Sequence, residues 1–313
     1  MRVLDKRQIQ EAYRPALALA MLRIGFIAYS EGRVQQPPVQ HFAFPGANGD
    51  CCIKSGYLDD DDVFVVKVAS GFYDNRKLGL DSTQGAMMAF SAKNGRPLAL
   101  LLDEGWLTSQ RTALAGQAAA QALAPRRIDA IGIVGTGMQA RLQLEALQAV
   151  TPCRRVLVWG RNARETRKFC DQFEARGYHV TPTLDVEALA RGCRLIVTCT
   201  PSTEALLQAQ WIQPGTHITA AGADAEGKQE LAAALVAKAD LLVVDSVSQC
   251  AGFGEVSHAV KAELVKVERL VELGRVLAGK HPGRTGESQI TIADLTGLAI
   301  QDVQIAKSVL LSV

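Results

Sequence analysis

The sequence predicts an α/β protein: a doubly wound parallel sheet in the middle of the chain, with a second, α+β domain assembled from the two ends. Three observations predict it. From Arg127 to Asp245, strand-like and helix-like segments alternate, as parallel βαβ units require. The first of those strands runs into a glycine-rich turn, Gly135-Thr136-Gly137, that opens the first helix. Before Arg127 the chain reads instead as a long helix followed by hairpins, which is antiparallel architecture. The expected boundaries are 1–115 with 290–313 for the end domain and 116–289 for the middle one.

Residues 5–30 carry Ile9, Tyr13, Ala16, Leu17, Ala20, Met21 and Ile24 at helical spacing, and Gly32 and Pro37-Pro38 close the segment. Residues 51–58 and 63–70 are strand-like and joined across Asp59–Asp62. That acidic run reads as a solvated turn, with a hard-cation site as the alternative. Two further strands flank the turn Lys93-Asn94-Gly95. An alanine-rich helix spans Leu107 to Leu123, with Thr108 as its expected N-cap and Pro125 beyond its end. In the middle domain the strands are 128–134, 154–160, 179–183, 194–201, 216–224 and 240–246. Between them lie helices over 138–150, 163–177, 185–192 and 228–239. Beyond Asp245 the chain is mostly helical, and it ends with a strand near 290–294, a Thr296-Gly297 break and a last helix.

Composition narrows the function. Hydrophobic residues make up 48% and charged residues 21%, enough apolar surface for sizeable cores and too little charge for disorder. A net charge of +2 without a basic cluster argues against a nucleic-acid partner. The seven cysteines (Cys51, Cys52, Cys153, Cys170, Cys193, Cys199 and Cys250) form no CxxC pair, which fits buried thiols in a reducing cytoplasm better than zinc or disulfides. The apolar N-terminal stretch is broken by Arg23 and preceded by charges and Pro15. It reads as an amphipathic helix, with neither a signal peptide nor a membrane span expected.

The glycine turn carries the chemistry. Gly135-Thr136-Gly137-Met138-Gln139-Ala140 is a GxGxxA element between strand and helix. Gly135 permits the tight turn, Gly137 lets backbone approach a diphosphate, and Ala140 lets helix and strand pack closely. The helix start offers unpaired N–H groups to the phosphates. An NAD site usually places an acid about 20 residues further on, against the ribose hydroxyls. That count reaches Gly160 here, followed by Arg161 and Asn162, with no carboxylate. A guanidinium suits a 2′-phosphate, so NADP(H) is favoured, with NAD(H) possible. Thr200 and Asp224, at the ends of two later strands, are expected on the nicotinamide side.

Taken in order, several segments resemble the ornithine cyclodeaminase/μ-crystallin family. They are Val65-Val66-Lys67-Val68 with Asp74-Asn75, Asn94 to Ala99, and Leu107 to Ala113. The glycine turn, Ala221 to Leu231, and Gly297 to Asp302 complete the series. The resemblance implies a Rossmann domain inserted into a substrate-binding and dimerisation domain, a homodimer, and a small α-amino or α-imino acid as substrate. It further implies Lys67 and Asp224 as catalytic residues and Arg111 as a carboxylate clamp. Thr112 and Lys228 would contact cofactor. Where the family has an arginine after the proline turn, this chain has Gln40, or Val39 beside it, and Lys54 is the residue that would compensate. Imino acid reduction or amino acid dehydrogenation is the first functional expectation. Ornithine cyclodeamination, favoured by Asp224, and non-catalytic NADP(H) binding are the alternatives.

Overall fold

The computed structural model describes the backbone of residues 1–313 and every side chain except that of Arg76. The chain forms two compact units, Met1–Arg111 with Leu298–Val313, and Thr112–Gly297. The second boundary corrects the expected one at 290. Strand Thr291–Asp294 pairs in parallel with strands of the second unit on both sides, so it completes that sheet before the chain turns back at Leu298.

The first unit opens with strand β1 (Arg2–Asp5) and helices α1 (Lys6–Ala12) and α2 (Pro15–Ser30). The single helix expected over 5–30 is therefore two. Pro15 has no N–H and a fixed φ, so it starts α2 at its first position, while Tyr13 between them is extended. Asp5 and Gln8 close a capping box on α1. Five strands follow the short β2 (Val34–Gln35): β3 (Gln40–Phe44), β4 (Gly49–Leu58), β5 (Val63–Phe72), β6 (Thr83–Ser91) and β7 (Pro97–Leu102). The sheet order is β1-β7-β6-β5-β4-β2, with β3 also on β4. The C-terminal helix Ala299–Leu310 packs against β4, β5 and α2. At Gly56 a Cβ would stand 3.3 Å from Ala299 and from Val303, and at Gly25 3.0 Å from Gln304; small residues let this helix lie close. The Asp59–Asp62 turn is not wholly solvated as expected: Asp61 is buried and ion-paired with Lys307 at 2.5 Å. Helix α3 (Trp106–Leu123) leaves this unit and continues into the next. Its cap is Asp103, whose carboxylate accepts the Leu107 N–H at 2.7 Å; Thr108 lies inside the helix.

The second unit is built on an eight-stranded sheet. Its strands and helices alternate as β8 (Ile131–Val134), α4 (Met138–Ala146), β9 (Arg155–Trp159), α5 (Ala163–Glu174), β10 (His179–Thr183), α6 (Val186–Gly192) and β11 (Leu195–Thr198). Then come β12 (Thr203–Leu207), β13 (His217–Ala220), β14 (Gln229–Leu231), α7 (Ala233–Lys238), β15 (Leu241–Val244), α8 (Val247–Gly252), α9 (Glu255–Lys261), β16 (Leu270–Glu272), α10 (Leu273–Leu277) and β17 (Thr291–Asp294). The order β10-β9-β8-β11-β13-β17-β15-β16 is parallel throughout. Alternate residues feed two cores: Ile131, Ile133, Leu195 and Val197 into one, Val134, Ile196, Ile218 and Leu242 into the other. A sheet covered on both faces needs such doubly apolar strands. The helix expected from Lys228 is shorter, because Gln229–Leu231 pairs in parallel with β12 and the helix starts only at Ala233.

Candidate active site

The chain runs from β8 outward to β10, then crosses back to β11 on the other side of β8. Ligands of such sheets bind at that reversal, outside the carboxyl ends of the strands. Gly135 sits there with φ +123°, its N–H bonded to Trp159 O at 2.9 Å. A Cβ on it would stand 3.0 Å from Cys199 O. Gly137, the N-cap of α4, has ordinary φ and no side-chain cap bond. A Cβ there would meet nothing within 4 Å, so the bend is bare on the side a diphosphate would approach. Met138 is exposed and Gln139 half-buried beside it. These residues fit a dinucleotide: Thr136, Gly137 and the uncapped first turn of α4 would hold the phosphates.

Around that turn the structure fixes the neighbours. Gly160 follows β9, and a Cβ on it would stand 2.6 Å from Thr136 Cγ2, so no carboxylate-bearing side chain fits there. Arg161 is exposed at the start of α5. Asn162 caps that helix, accepting from the N–H groups of Arg164 and Glu165 at 3.0 and 3.1 Å. The Thr112 carbonyl accepts from Gln143 of α4 at 3.1 Å, which ties α3 to the helix behind the glycine turn. Thr200 lies just past β11. Asp224 lies past β13 and is ion-paired with Lys228 at 2.6 Å. Asp224 caps no helix.

The first unit holds a buried charge cluster. Lys67, in the middle of β5, and Asp302, in the C-terminal helix, are each 2% exposed and meet at 2.7 Å. Arg111 Nε stands 3.2 Å from the other carboxylate oxygen, and Arg111 Nη1 donates to Gln301 Oε1 at 2.9 Å. Met87 is opposite Lys67 in β6 and fully buried. Burial pushes the Lys67 amine down to about 8, with Arg111 and Lys54 adding to the shift and Asp302 opposing it. Burial alone would raise the Asp302 carboxyl, but Lys67, Arg111 and Lys54 outweigh it and hold the group below the usual carboxylate range. An amine that titrates near neutrality is suited to proton transfer.

Strand register sorts the remaining candidates. Lys54 is directly opposite Lys67, so the two side chains share a face. Gln40 is opposite Ile53, one residue out of phase, and therefore on the other face of the sheet. The structure thus brings together Lys67, Arg111 and Lys54 but leaves Gln40 outside the cluster. His41, opposite Cys52, is on the Lys67 face instead. Asp302 and Gln301 were missed as site residues. Their only signal was the Gly297 to Asp302 resemblance, which assigned them no role.

A lysine-centred charge cluster on one unit and a bare diphosphate turn on the other mark an NAD(P)(H)-dependent enzyme. The chain belongs to the ornithine cyclodeaminase/mu-crystallin family, which it matches over residues 2–312. It is 41% identical over 275 residues to an uncharacterized cyclodeaminase of Sinorhizobium fredii, covering 87% of this chain and 83% of the relative. Among solved structures, an archaeal alanine dehydrogenase dimer with bound NAD is 33% identical with a TM-score of 0.91, over 100% of this chain and 95% of that one. The Δ(1)-pyrroline-2-carboxylate reductase of Thermococcus litoralis, in complex with NADH and L-proline, is 27% identical with a TM-score of 0.92, over 100% and 97%.

Proposed function

We propose that this enzyme carries out NADP(H)-linked reduction of a small α-imino acid, or the reverse oxidation of the α-amino acid, in the cytoplasm and as a homodimer. The bound nicotinamide supplies or takes the hydride at the substrate Cα. Arg111 would clamp the substrate carboxylate, Lys67 would give a proton to the reduced nitrogen or take one from the amine, and Asp302 would keep both cations in place. The observation that carries the reading is Lys67, buried against Asp302 and titrating at about 8. The 2′-phosphate preference rests on Arg161, exposed where Gly160 leaves no room for an acid. The homodimer is supported by the dimeric alanine dehydrogenase and by the exposed Phe42 and Phe44 of β3. No helix among the described residues is long and apolar enough to cross a membrane.

Asp224 favours a second reading, ornithine cyclodeamination, because its carboxylate is exposed at a strand end where it could act on nitrogen or water. An assay separates the two. NADPH oxidised stoichiometrically with a cyclic imino acid supports the reductase. Proline and ammonia formed from ornithine without net change in cofactor support the cyclodeaminase. Cofactor binding with neither turnover rejects both. Arg161→Ala is expected to weaken NADPH binding about tenfold or more, the weight of a charge-assisted pair, while NADH binding holds. Equal losses in a fluorescence titration would remove Arg161 from cofactor choice.

A further inference from the structure

We infer that Glu230 is a positioning residue whose buried carboxylate fixes the two strand-end loops carrying Thr200 and Asp224. The role rests on the proposed function, since those loops matter only if they face the reacting groups.

Glu230 lies in β14 and is fully buried. One carboxylate oxygen accepts the N–H of Thr200 at 2.6 Å, and the other accepts the N–H of Gly222 at 3.1 Å. A single side chain thus holds the backbone just beyond β11 and just beyond β13. The approach is close. A Cβ at Gly222 would stand 2.3 Å from Glu230 Oε2 and 2.4 Å from Thr200 O, so only glycine admits the carboxylate there. Glu230 is itself held from behind. The Glu255 carboxylate accepts the backbone N–H groups of Glu230 and Leu231, both at 2.8 Å. Just before it in the chain, Gln229 N–H donates to Ser202 O at 2.8 Å, and His258 Nε2 bonds Lys228 O at 2.9 Å. The loop bearing Asp224 is therefore anchored at both ends, and Glu230 is its anchor on the Thr200 side.

The geometry asks for an anion. Both oxygens face N–H donors, so an amide would turn a donor toward one of them, and a protonated acid would keep only one good acceptor. Burial pushes the Glu230 carboxyl up to about 7. The hydrogen bonds from Thr198, Thr200 and Gly222 oppose that shift, and the titratable groups around it are Glu255 on α9, Asp294 on β17 and the Cys199 thiol, each of which the Glu230 charge pushes up. The loops should accordingly lose an anchor as pH falls through neutrality.

The test compares wild type with Glu230→Gln by residue-resolved hydrogen exchange and by steady-state kinetics across pH 6 to 8. In the variant, the Thr200 and Gly222 amides are expected to exchange about tenfold faster or more, the weight of one charge-assisted bond, while β8 and β9 stay protected. Turnover should fall by a similar factor with little change in substrate KM, and the acid limb of the kcat profile should flatten. Unchanged exchange at both amides, or a kinetic loss that only follows the folded fraction, would overturn the role. Should Glu230→Gln fail to fold, wild-type exchange at Thr200 and Gly222, corrected for intrinsic rates, decides alone: protection must drop from pH 8 to pH 6, and a flat profile refutes the inference. Wild type that turns over no amino or imino acid would defeat the proposed function, while the exchange result would still stand or fall by itself.

Discussion

Lys67 is where the chemistry of single residues is most exposed to test. Its amine is buried against Asp302, which the guanidinium of Arg111 shares, and it titrates at about 8 because burial penalises the charge more than Asp302 favours it. If this amine handles the substrate proton, the limb of kcat/KM near pH 8 belongs to it. For imine reduction the protonated form is needed, so the rate falls as pH rises through about 8. For amine oxidation the neutral form is needed, so the rate rises there. Lys67→Ala should lower turnover by about 10²–10⁴-fold, the usual weight of general acid–base catalysis, and leave NADPH affinity nearly intact. Retained turnover, or a pH limb that survives the substitution, would take Lys67 out of the mechanism. Lys67 was legible in the sequence only through the family resemblance, since an apolar strand with one lysine is otherwise an ordinary strand. Asp302 was not legible as its partner. The two residues lie near opposite ends of the chain, and no local pattern predicts which acid a distant lysine will meet.

At the scale of elements, the glycine turn separates two demands that sequence alone merges. Gly135 is needed by the fold: its φ of +123° and its approach to Cys199 O leave no place for a side chain. Gly137 is not needed by the fold, since its φ of −76° is ordinary and nothing stands near a Cβ there. Gly135→Ala should therefore lower both stability, by about 1–3 kcal/mol of backbone strain, and dinucleotide affinity. Gly137→Ala should melt like wild type and still bind NADPH about tenfold more weakly, about 1.4 kcal/mol. Thermal melts paired with cofactor titration check this, and wild-type affinity in Gly137→Ala would mean that no diphosphate lies on the bend. Of the elements the sequence revealed best, β8, β11, β13, β15 and β17 have every residue buried, and β8, β11 and β15 read as near-continuous apolar runs. Those it hid are short or exposed. β3 has every residue exposed, β1 has one buried residue, and β14 and β16 are three residues long. β1, β14 and β16 pair with strands distant in sequence, and β3 shows no alternation of buried and exposed residues.

Over the whole molecule, protons act in opposite directions on the charge cluster of the first unit and on the buried acids of the second. In the first, both key groups have depressed values: Lys67 lies at about 8 against an ordinary 10.5, and Asp302 lies below its ordinary 3.8. The unfolded chain binds more protons in those windows, so stability rises with pH between about 8 and 10.5 and is lost in strong acid as pH falls through the Asp302 value. In the second unit the acids go the other way. Burial pushes Glu230 and Asp294 up to about 7 and Glu255 well above 4.5. Here the folded state binds more protons, so that contribution is fully present below the unfolded carboxylate range and lost as pH rises through about 7. Between about pH 6.5 and 7.5, above the windows of Asp103 in the first unit, raised to about 6, and of His217 in the second, lowered from 6.5 to about 3, raising the pH should weaken the sheet of the second unit alone, while the Thr200 and Gly222 amides beyond its strands gain their Glu230 anchor. Hydrogen exchange corrected for intrinsic rates should show protection in β11, β13 and β17 falling across that range while β5 and the C-terminal helix stay level. Asp294→Asn should flatten part of the slope in the second unit, because it removes one of the titrating acids. If both units respond alike, or β11, β13 and β17 gain protection as pH rises, the buried acids are not held in the protonation states inferred for them.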